Sequence, residues 1–147
     1  MIRRATIEDL TELARLFDAY RQFYQQDPDF GAAQGYIRER ILADESVIFV
    51  AVADNRLAGF CQLYPTFCSV AAQPMLVLYD LYVDSSSRRS GQGKALMLAA
   101  QSFGAAAGFC RLELATAIDN QAGQALYEAL GWQRDSEFFH YSLELSV

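Results

Sequence analysis

The chain has 147 residues, of which 52% are hydrophobic and 20% are charged, and its formal net charge is −6. This length and composition suit one globular domain with a core of its own and argue against a disordered segment. A nucleic-acid binder carries a basic face, so nucleic acid is not an expected partner of this acidic chain. No apolar run approaches the roughly 20 residues that span a bilayer, so we expect no membrane partner either.

The first residues and the cysteines indicate the compartment. Residues 1–9 lack the apolar core, about 7–15 residues long, of a secretory signal. The three cysteines, Cys61, Cys68 and Cys110, are an odd set without the spacing of a metal site. We therefore interpret them as small buried hydrophobic residues, and we expect a cytoplasmic protein that holds no metal.

Hydrophobic periodicity divides the chain into strands and helices without repeats or linkers. Helices are expected at residues 8–25, 34–43, 95–107 and 121–130. Strands are expected at residues 2–5, 47–53, 57–64, 76–83, 110–116, 132–134 and 138–145. Asp54 and Asn55 predict a turn between the second and third strands, and Pro65 is expected to end or bend the third. The order βααβββαβαββ predicts an α/β fold in which helices cover both faces of one mixed sheet, in a single domain over residues 1–147.

The segment Arg88-Arg89-Ser90-Gly91-Gln92-Gly93-Lys94 joins an apolar run to a helical one. Its glycines let the backbone approach a ligand and point several N–H groups the same way. The first turn of the following helix leaves N–H groups unpaired, and its dipole favours an anion. Three cationic side chains add full charge. The segment therefore predicts a site for a phosphate-bearing ligand, although an ordinary solvated loop is the alternative that it leaves open by itself.

Two familiar phosphate loops do not match this segment. A P-loop needs glycine at position 88 and a hydroxyl at position 95, where the chain has Arg88 and Ala95. A dinucleotide fingerprint needs a small residue at position 96, where the chain has Leu96. What remains is Arg-x-x-Gly-x-Gly, and this pattern resembles the pyrophosphate loop of the GNAT superfamily of acyl-CoA N-acyltransferases.

A second segment, residues 119–132, carries the same resemblance. Locally it predicts a short amphipathic helix that is capped by Asp119 or Asn120 and ends at Gly131. Its sequence DNQAGQALYEALGW is also similar to the helix that follows the fifth strand of GNAT proteins. The resemblance covers residues 76–145, whereas the N-terminal half matches only in the order of its elements. It implies a mostly antiparallel sheet, acetyl-CoA as acyl donor without a metal, and acetyl transfer to a primary amine of a small molecule by direct attack in a ternary complex.

The resemblance also implies the site residues. Those that bind the cofactor are Leu81, Tyr82, Val83, Arg88, Arg89, Ser90, Gly91, Gln92, Gly93, Lys94, Ala95 and Asn120. The backbone of residues 81–83 pairs with the pantetheine arm, which requires the fourth and fifth strands to splay apart. The catalytic residue is Tyr127, a general acid for the departing thiolate. Packing on the sheet is the structural alternative for this tyrosine.

The sequence leaves the general base open. The fourth strand resembles that of spermidine/spermine and thialysine acetyltransferases, which carry an acid at the position of Tyr79. In a regular strand the neighbouring Asp80 points to the opposite face. An ordered water, the small neutral fraction of the substrate, or Asp80 at a bulge are the three alternatives. The only histidine, His140, is expected to pack or to lie at an edge.

Two other functions stay open beside the small-molecule acetyltransferase. One is a protein or peptide N-acetyltransferase with an open acceptor groove, and the other is a non-catalytic acyl-CoA sensor, against which Tyr127 argues. Several aromatic residues either line the acceptor pocket or belong to the core; these are Tyr20, Tyr24, Tyr36, Tyr64, Tyr79, Phe138, Phe139 and Tyr141. GNAT proteins often pair through their C-terminal strands, so the resemblance makes a homodimer a further expectation.

Overall fold

The computed structural model describes residues 1–146. The chain forms two compact units, the first comprising residues 1–115 and the second beginning at Thr116. The single domain over residues 1–147 stays a prediction. None of the helices in the described part of the chain has both the length and the apolar character that a bilayer crossing requires.

The first unit is built on a five-stranded sheet. Its strands are β1 (Ile2–Arg4), β2 (Val47–Ala53), β3 (Arg56–Cys68), β4 (Gln73–Val83) and β5 (Leu112–Glu113). They lie side by side in chain order. The first four pair antiparallel, and β5 is parallel to β4. The predicted mixed, mostly antiparallel sheet is therefore confirmed.

Helices cover both faces of this sheet. They are α1 (Leu10–Phe23), α2 (Phe30–Leu42) and α3 (Gln92–Ala106), with single 3-10 turns at Ile7–Asp9 and Ser85–Ser87. On one face, Leu13, Leu16 and Ile37 of α1 and α2 pack with Val50 and Phe60 of the sheet. The opposite face belongs to α3, whose Phe103 ring lies 5.9 Å from the ring of Phe49, centroid to centroid. Alternation of neighbouring residues along β2 supplies both cores.

Two hairpins connect β2, β3 and β4. Asp54 and Asn55 both have positive φ, 50° and 60°, and join Ala53 to Arg56, so the predicted turn is confirmed as a two-residue loop. Pro65 does not end β3, which continues to Cys68, and a bend at Pro65 stays a prediction. Pairing with β2 stops at Leu63, so no second strand needs the N–H that proline lacks at position 65.

The two strands predicted near the C-terminus are a second correction. Within the described chain, residues 132–146 form neither helix nor strand. An alternating apolar pattern becomes a strand only when a neighbouring strand pairs with it and one face is covered. Here the apolar side chains stay exposed, from 72% for Phe138 to 93% for Tyr141. The strand β5 is likewise shorter than residues 110–116.

Two of the cysteines lie in the sheet and are buried, and the third lies outside the sheet. Cys61 and Cys68 are buried, as predicted, and burial raises the pKa of Cys61 to about 12, which keeps its thiol protonated. The expectation for Cys110 is wrong, since its side chain is exposed in the turn that joins α3 to β5. The helix α2 also begins earlier than predicted, because Asp29 caps it by accepting a hydrogen bond of 3.0 Å from the N–H of Ala32.

Candidate active site

The strand β4 is paired along its full length on one side only. On that side its partner is β3. On the other side β5 pairs only with Leu76 and Val77. Residues 78–83 therefore have no strand partner on the β5 side within the described chain. The pairing of the fourth and fifth strands stops after Val77, so main-chain groups around Leu81 and Tyr82 lack a strand partner on that side among the described residues, while the predicted splay of the two strands stays a prediction.

A short loop continues from the end of β4 and is anchored at both sides. The N–H of Asp84 donates to the carbonyl of Ala58 at 2.8 Å, and the carboxylate of Asp84 accepts from Arg15 at 3.2 Å. Arg88 folds back on the strand. Its Nε donates to the carbonyl of Val83 at 3.2 Å, and its guanidinium lies 5.7 Å from the ring centroid of Tyr82. These contacts hold the loop at the end of β4.

The loop then enters α3 through two left-handed residues. Arg89 has φ 63° and Gly91 has φ 79°, a conformation that a glycine adopts without steric cost. Between them, the hydroxyl of Ser90 donates to the carbonyl of Ser87. Gly91 is the N-cap residue of α3, and it has no side chain with which to accept a hydrogen bond.

The N-terminus of α3 fits an anion. Ala95 donates its N–H to the carbonyl of Gly91 at 3.0 Å, which is the first intrahelical bond. The N–H groups of Gln92, Gly93 and Lys94 precede that bond, so they are the orphan donors of the first turn. The helix dipole and the Lys94 ammonium add positive potential at the same end. This arrangement fits a phosphate group. Ala95, which was also predicted to bind the cofactor, differs from its neighbours because its N–H already donates to Gly91.

A bulge in β4 changes the direction of Asp80. Gln62 lies opposite Asp80 and Leu63 opposite Leu78, so Tyr79 is an extra residue in the strand. The bulge turns Asp80 onto the face that α1 covers, where its side chain is only 3% exposed. This geometry corresponds to the third alternative for the general base, Asp80 at a bulge.

Neutral partners hold the Asp80 carboxylate. The amide of Gln62 donates to Asp80 Oδ2 at 2.7 Å, and the hydroxyl of Ser46 donates to Gln62 Oε1 at 2.7 Å. Burial raises the pKa of Asp80 above its usual range, while hydrogen bonds from Gln62 and Tyr20 act in the opposite direction. Sequence reasoning missed Ser46 and Gln62, although a glutamine inside the apolar run LAGFCQLY was the available signal.

Tyrosine side chains surround this carboxylate. The hydroxyl of Tyr20 donates to the carbonyl of Tyr79 at 3.3 Å, and the rings of Tyr64 and Tyr79 meet edge to face at 5.7 Å. The hydroxyls of Tyr36 and Tyr64 lie 2.5 Å apart. Burial raises the pKa of both Tyr20 and Tyr64, so their phenols stay neutral. In the first unit, the buried carboxyl group of Asp80 therefore lies near neutral tyrosine phenols.

The second unit contains α4 (Gln121–Ala129). Its N-cap is Asn120, which uses its side-chain amide twice. The Oδ1 atom accepts from the N–H of Gly123 at 3.1 Å, and Nδ2 donates to Thr116 Oγ1 at 3.0 Å. The predicted cap is confirmed, whereas the cofactor contact of Asn120 stays a prediction.

The candidate acid, Tyr127, lies in the last turn of the same helix. Its carbonyl accepts from the N–H of Trp132 at 3.0 Å, and the two rings lie 6.4 Å apart. Gly131, with φ 91°, closes the helix as predicted. The catalytic role of Tyr127 stays a prediction.

Two further predictions from the sequence concern the single histidine and metal ligands. His140 lies in the irregular C-terminal segment and is exposed, so the strand in which it was expected is absent. Among residues 1–146, no three His, Cys, Asp or Glu side chains are grouped as metal ligands.

Comparison with known proteins gives the family. The profile of the Acetyltransferase (GNAT) family matches residues 10–132. A Bacillus subtilis (strain 168) protein described as the uncharacterized N-acetyltransferase YhfO is 38% identical over 144 residues, which are 98% of this chain and 97% of that protein. The crystal structure of a probable acetyltransferase is 36% identical, has a TM-score of 0.93, and is matched over 100% of this chain and 99% of its own.

A further structure shares the fold alone. It is an aminoglycoside acetyltransferase, meta-AAC0020, from an uncultured soil metagenomic sample, in complex with sisomicin. Its identity is 23% and its TM-score 0.80, over 99% of this chain and 96% of that chain. The family match over most of the sequence, together with the short pairing of β4 with β5 and the loop at the head of α3, leads to one assignment: the chain belongs to the GNAT family of acetyltransferases and is an acyltransferase.

Proposed function

We propose that this enzyme transfers the acetyl group of acetyl-CoA to a primary amine of a small molecule, by direct attack in a ternary complex. The observation that carries the proposal is that an open strand edge leads directly into an uncapped helix N-terminus. Among the described residues, 78–83 of β4 have no strand partner on the β5 side, and Gly91, the N-cap residue of α3, provides no side-chain cap. The two features offer main-chain donors and acceptors in one continuous stretch of chain.

The chain's own groups would hold the donor as follows. The N–H groups of Gln92, Gly93 and Lys94, together with the Arg89 and Lys94 charges, bind the pyrophosphate. The main chain of residues 81–83 pairs with the pantetheine arm. Acetyl-CoA itself supplies an already activated thioester. The protein therefore has three tasks, which are to align the amine with the thioester, to transfer protons and to stabilise the oxyanion.

We assign Asp80 as the proton acceptor among the three alternatives that the sequence leaves open. The bulge at Tyr79 brings its carboxylate to the face of Tyr20, and burial keeps its pKa above that of an ordinary carboxyl group. Asp80 takes one proton from the incoming ammonium, and the neutral amine then attacks the acyl carbon, so that a C–N bond forms and the C–S bond breaks. The departing thiolate takes a proton from Tyr127, and the second proton of the amide nitrogen returns to the Tyr127 phenolate, while the proton on Asp80 passes to solvent. A raised pKa brings the acid closer to the operating pH, which is where a general base is most effective.

Two residues of the second unit complete the proposal on the strength of the family resemblance. Tyr127 donates a proton to the departing sulfur, and Asn120 contacts the cofactor. A homodimer and a cytoplasmic location also remain proposals of this resemblance.

The function is tested by release of free thiol from acetyl-CoA in the presence of primary amines, N-terminal peptides or buffer alone. We expect thiol release that depends on a small amine and is accompanied by its N-acetyl product in mass spectrometry. Release with peptides only would favour the protein acetyltransferase. Tight binding of acetyl-CoA without release by any acceptor would favour the sensor.

A further inference from the structure

Among the described residues, the buried Asp80 carboxylate has no cationic partner. Its hydrogen bond comes from the Gln62 amide, and the Tyr20 phenol lies beside it; both groups are neutral. No ion pair of the described residues includes it. A buried carboxylate without a counter-charge costs free energy, and a ligand cation that reaches it recovers part of that cost. The site around Asp80 therefore favours a ligand that brings one positive charge.

Two groups of tyrosine rings, bridged by the ring of Phe17, lie near this carboxylate. Their members come from α1, α2, β3 and β4; they are Tyr20, Tyr24, Tyr36, Tyr64, Tyr79 and Tyr82, called the tyrosine surface below. The Tyr20 ring meets those of Tyr24 and Tyr82 at 5.1 and 6.3 Å, and Tyr79 meets Tyr64 at 5.7 Å. Three of these residues reach solvent, Tyr79 most of all at 66%. Aromatic faces attract an ammonium group and also bury apolar area.

The other charged groups close to the tyrosine surface are paired with one another. The Arg40 guanidinium lies 4.4 Å from the ring centroid of Tyr36. Its ion pairs with Glu39 and Glu45, at 3.1 and 2.8 Å, use the two carboxylates that lie near it. Asp84, four residues after Asp80, is likewise paired with Arg15. Asp80 is thus a buried carboxylate without an ion pair among the described residues, whereas the guanidinium that borders the rings at the Tyr36 end is already paired.

We infer that the acceptor is a primary monoamine with an aromatic or aliphatic body, bound with its ammonium toward Asp80 and its body against the tyrosine surface. This inference rests on the proposed acetyltransferase function. Polycationic acceptors such as polyamines and aminoglycosides are poor substrates, because the one carboxylate of Asp80 matches one ammonium and their further ammonium groups meet aromatic rings.

The first test compares amines on the full-length wild-type enzyme with saturating acetyl-CoA. The probes are 2-phenylethylamine, n-hexylamine, spermidine and kanamycin, and the readout is kcat/KM from thiol release. We expect the two monoamines to exceed spermidine and kanamycin by about tenfold or more. A preference for spermidine or kanamycin would overturn the inference while the acetyltransferase function stands. Thiol release with none of the four would instead count against the proposed function.

The second test asks whether the tyrosine surface carries the preference. Tyr79 is largely exposed, so Tyr79→Ala should leave the fold intact, and unchanged acetyl-CoA affinity in calorimetry is the control. We expect KM for 2-phenylethylamine to rise roughly tenfold, since one aromatic contact is lost, and Tyr79→Phe to recover most of it. An unchanged KM in Tyr79→Ala would remove the surface from acceptor binding.

A third measurement needs no variant. Benzyltrimethylammonium has the ring and the positive charge but no transferable proton. We expect it to inhibit acetylation of 2-phenylethylamine competitively with respect to the amine and not with respect to acetyl-CoA. Absence of inhibition at ten times the KM of the amine would contradict the inference, as would competition with acetyl-CoA.

Discussion

The N-termini of α3 and α4 solve the same physical problem in opposite ways. Every helix begins with N–H groups that lack an intrahelical acceptor. Asn120 satisfies one of them in α4 by accepting from Gly123. In α3 the cap residue is Gly91, which has no side chain to offer. The comparison teaches that polar groups whose partners are missing inside the chain mark the place where a ligand supplies them.

Asp80 extends this comparison from main-chain donors to a side chain. Its neutral partners leave its charge uncompensated, as Gly91 leaves the first turn of α3 uncapped. Groups of this kind should lower stability and raise activity, whereas internally satisfied groups such as Asn120 should mainly support the fold. The four predictions below separate the two kinds.

The largest expected effect is on the open helix end. Gly91→Asp places a carboxylate where the proposed pyrophosphate binds, and Gly91→Asn places a side chain of the same shape without the charge. Asn and Asp both tolerate a left-handed backbone. We expect Gly91→Asp to weaken acetyl-CoA binding roughly 100-fold relative to Gly91→Asn, by like-charge repulsion. Calorimetry measures both, and equal losses in the two variants would exclude a phosphate at this helix end.

Asp80→Asn should lower turnover and raise stability. Loss of a general base is expected to reduce kcat on the order of 100-fold. The folded-state pKa of Asp80 lies above its unfolded value, so the contribution of this group to stability is fully present in acid and is lost as pH rises through the folded pKa. The asparagine variant lacks that loss.

The melting temperature of Asp80→Asn should therefore exceed that of the wild type at pH 8, with the difference closing in acid. Wild-type activity should decline as pH falls through the raised pKa, since the carboxylate becomes protonated. Thermal scans and a pH profile of kcat check both. A variant that retains full turnover would exclude Asp80 as the base.

Tyr127→Phe removes one hydroxyl from α4 and should keep the packing of the ring against Trp132. We expect turnover to fall tenfold or more, because the departing thiolate loses its proton donor. Acetyl-CoA affinity should change little. Full activity in this variant would remove Tyr127 from the mechanism and leave it a packing residue.

The smallest effect is expected at the satisfied helix end. Asn120→Ala removes the cap of α4 and should cost about 1 kcal/mol in the free energy of unfolding. Asn120→Ser retains a capping oxygen and should recover most of that loss. Urea denaturation measures the stability of each variant. If Asn120 also contacts the cofactor, the serine variant will still bind acetyl-CoA several-fold more weakly than the wild type; equal affinity would restrict Asn120 to capping.

Local chemistry explains what the sequence could predict. Asp54-Asn55 and Gly131 favour one backbone conformation through their own φ preferences, so the hairpin turn and the end of α4 were readable. The sequence also predicted the loop that leads into α3, since the residue types between Arg88 and Lys94 act through the main chain near them. Anion binding by this loop stays a prediction.

Long-range pairing explains what was missed. The bulge at Tyr79 arises from the register between β3 and β4, which no residue of β4 specifies by itself. The continuation of β3 through Pro65 depends on where β2 ends. The C-terminal alternation at residues 138–145 predicts a strand only if a partner strand lies beside it, and the described chain has none there. The direction of the Asp80 side chain also depends on this long-range pairing, which is why the sequence did not identify the general base.

The most direct measurement compares acetyl-CoA with S-acetylpantetheine, which keeps the thioester and the arm but lacks the pyrophosphate. Titration calorimetry on the wild-type chain should give saturable binding of one acetyl-CoA per chain. The affinity for S-acetylpantetheine should be on the order of 100-fold weaker, because the N–H groups at the head of α3 and the charge of Lys94 then have no phosphate to bind. Equal affinities for the two compounds, or no binding of acetyl-CoA, would contradict the account.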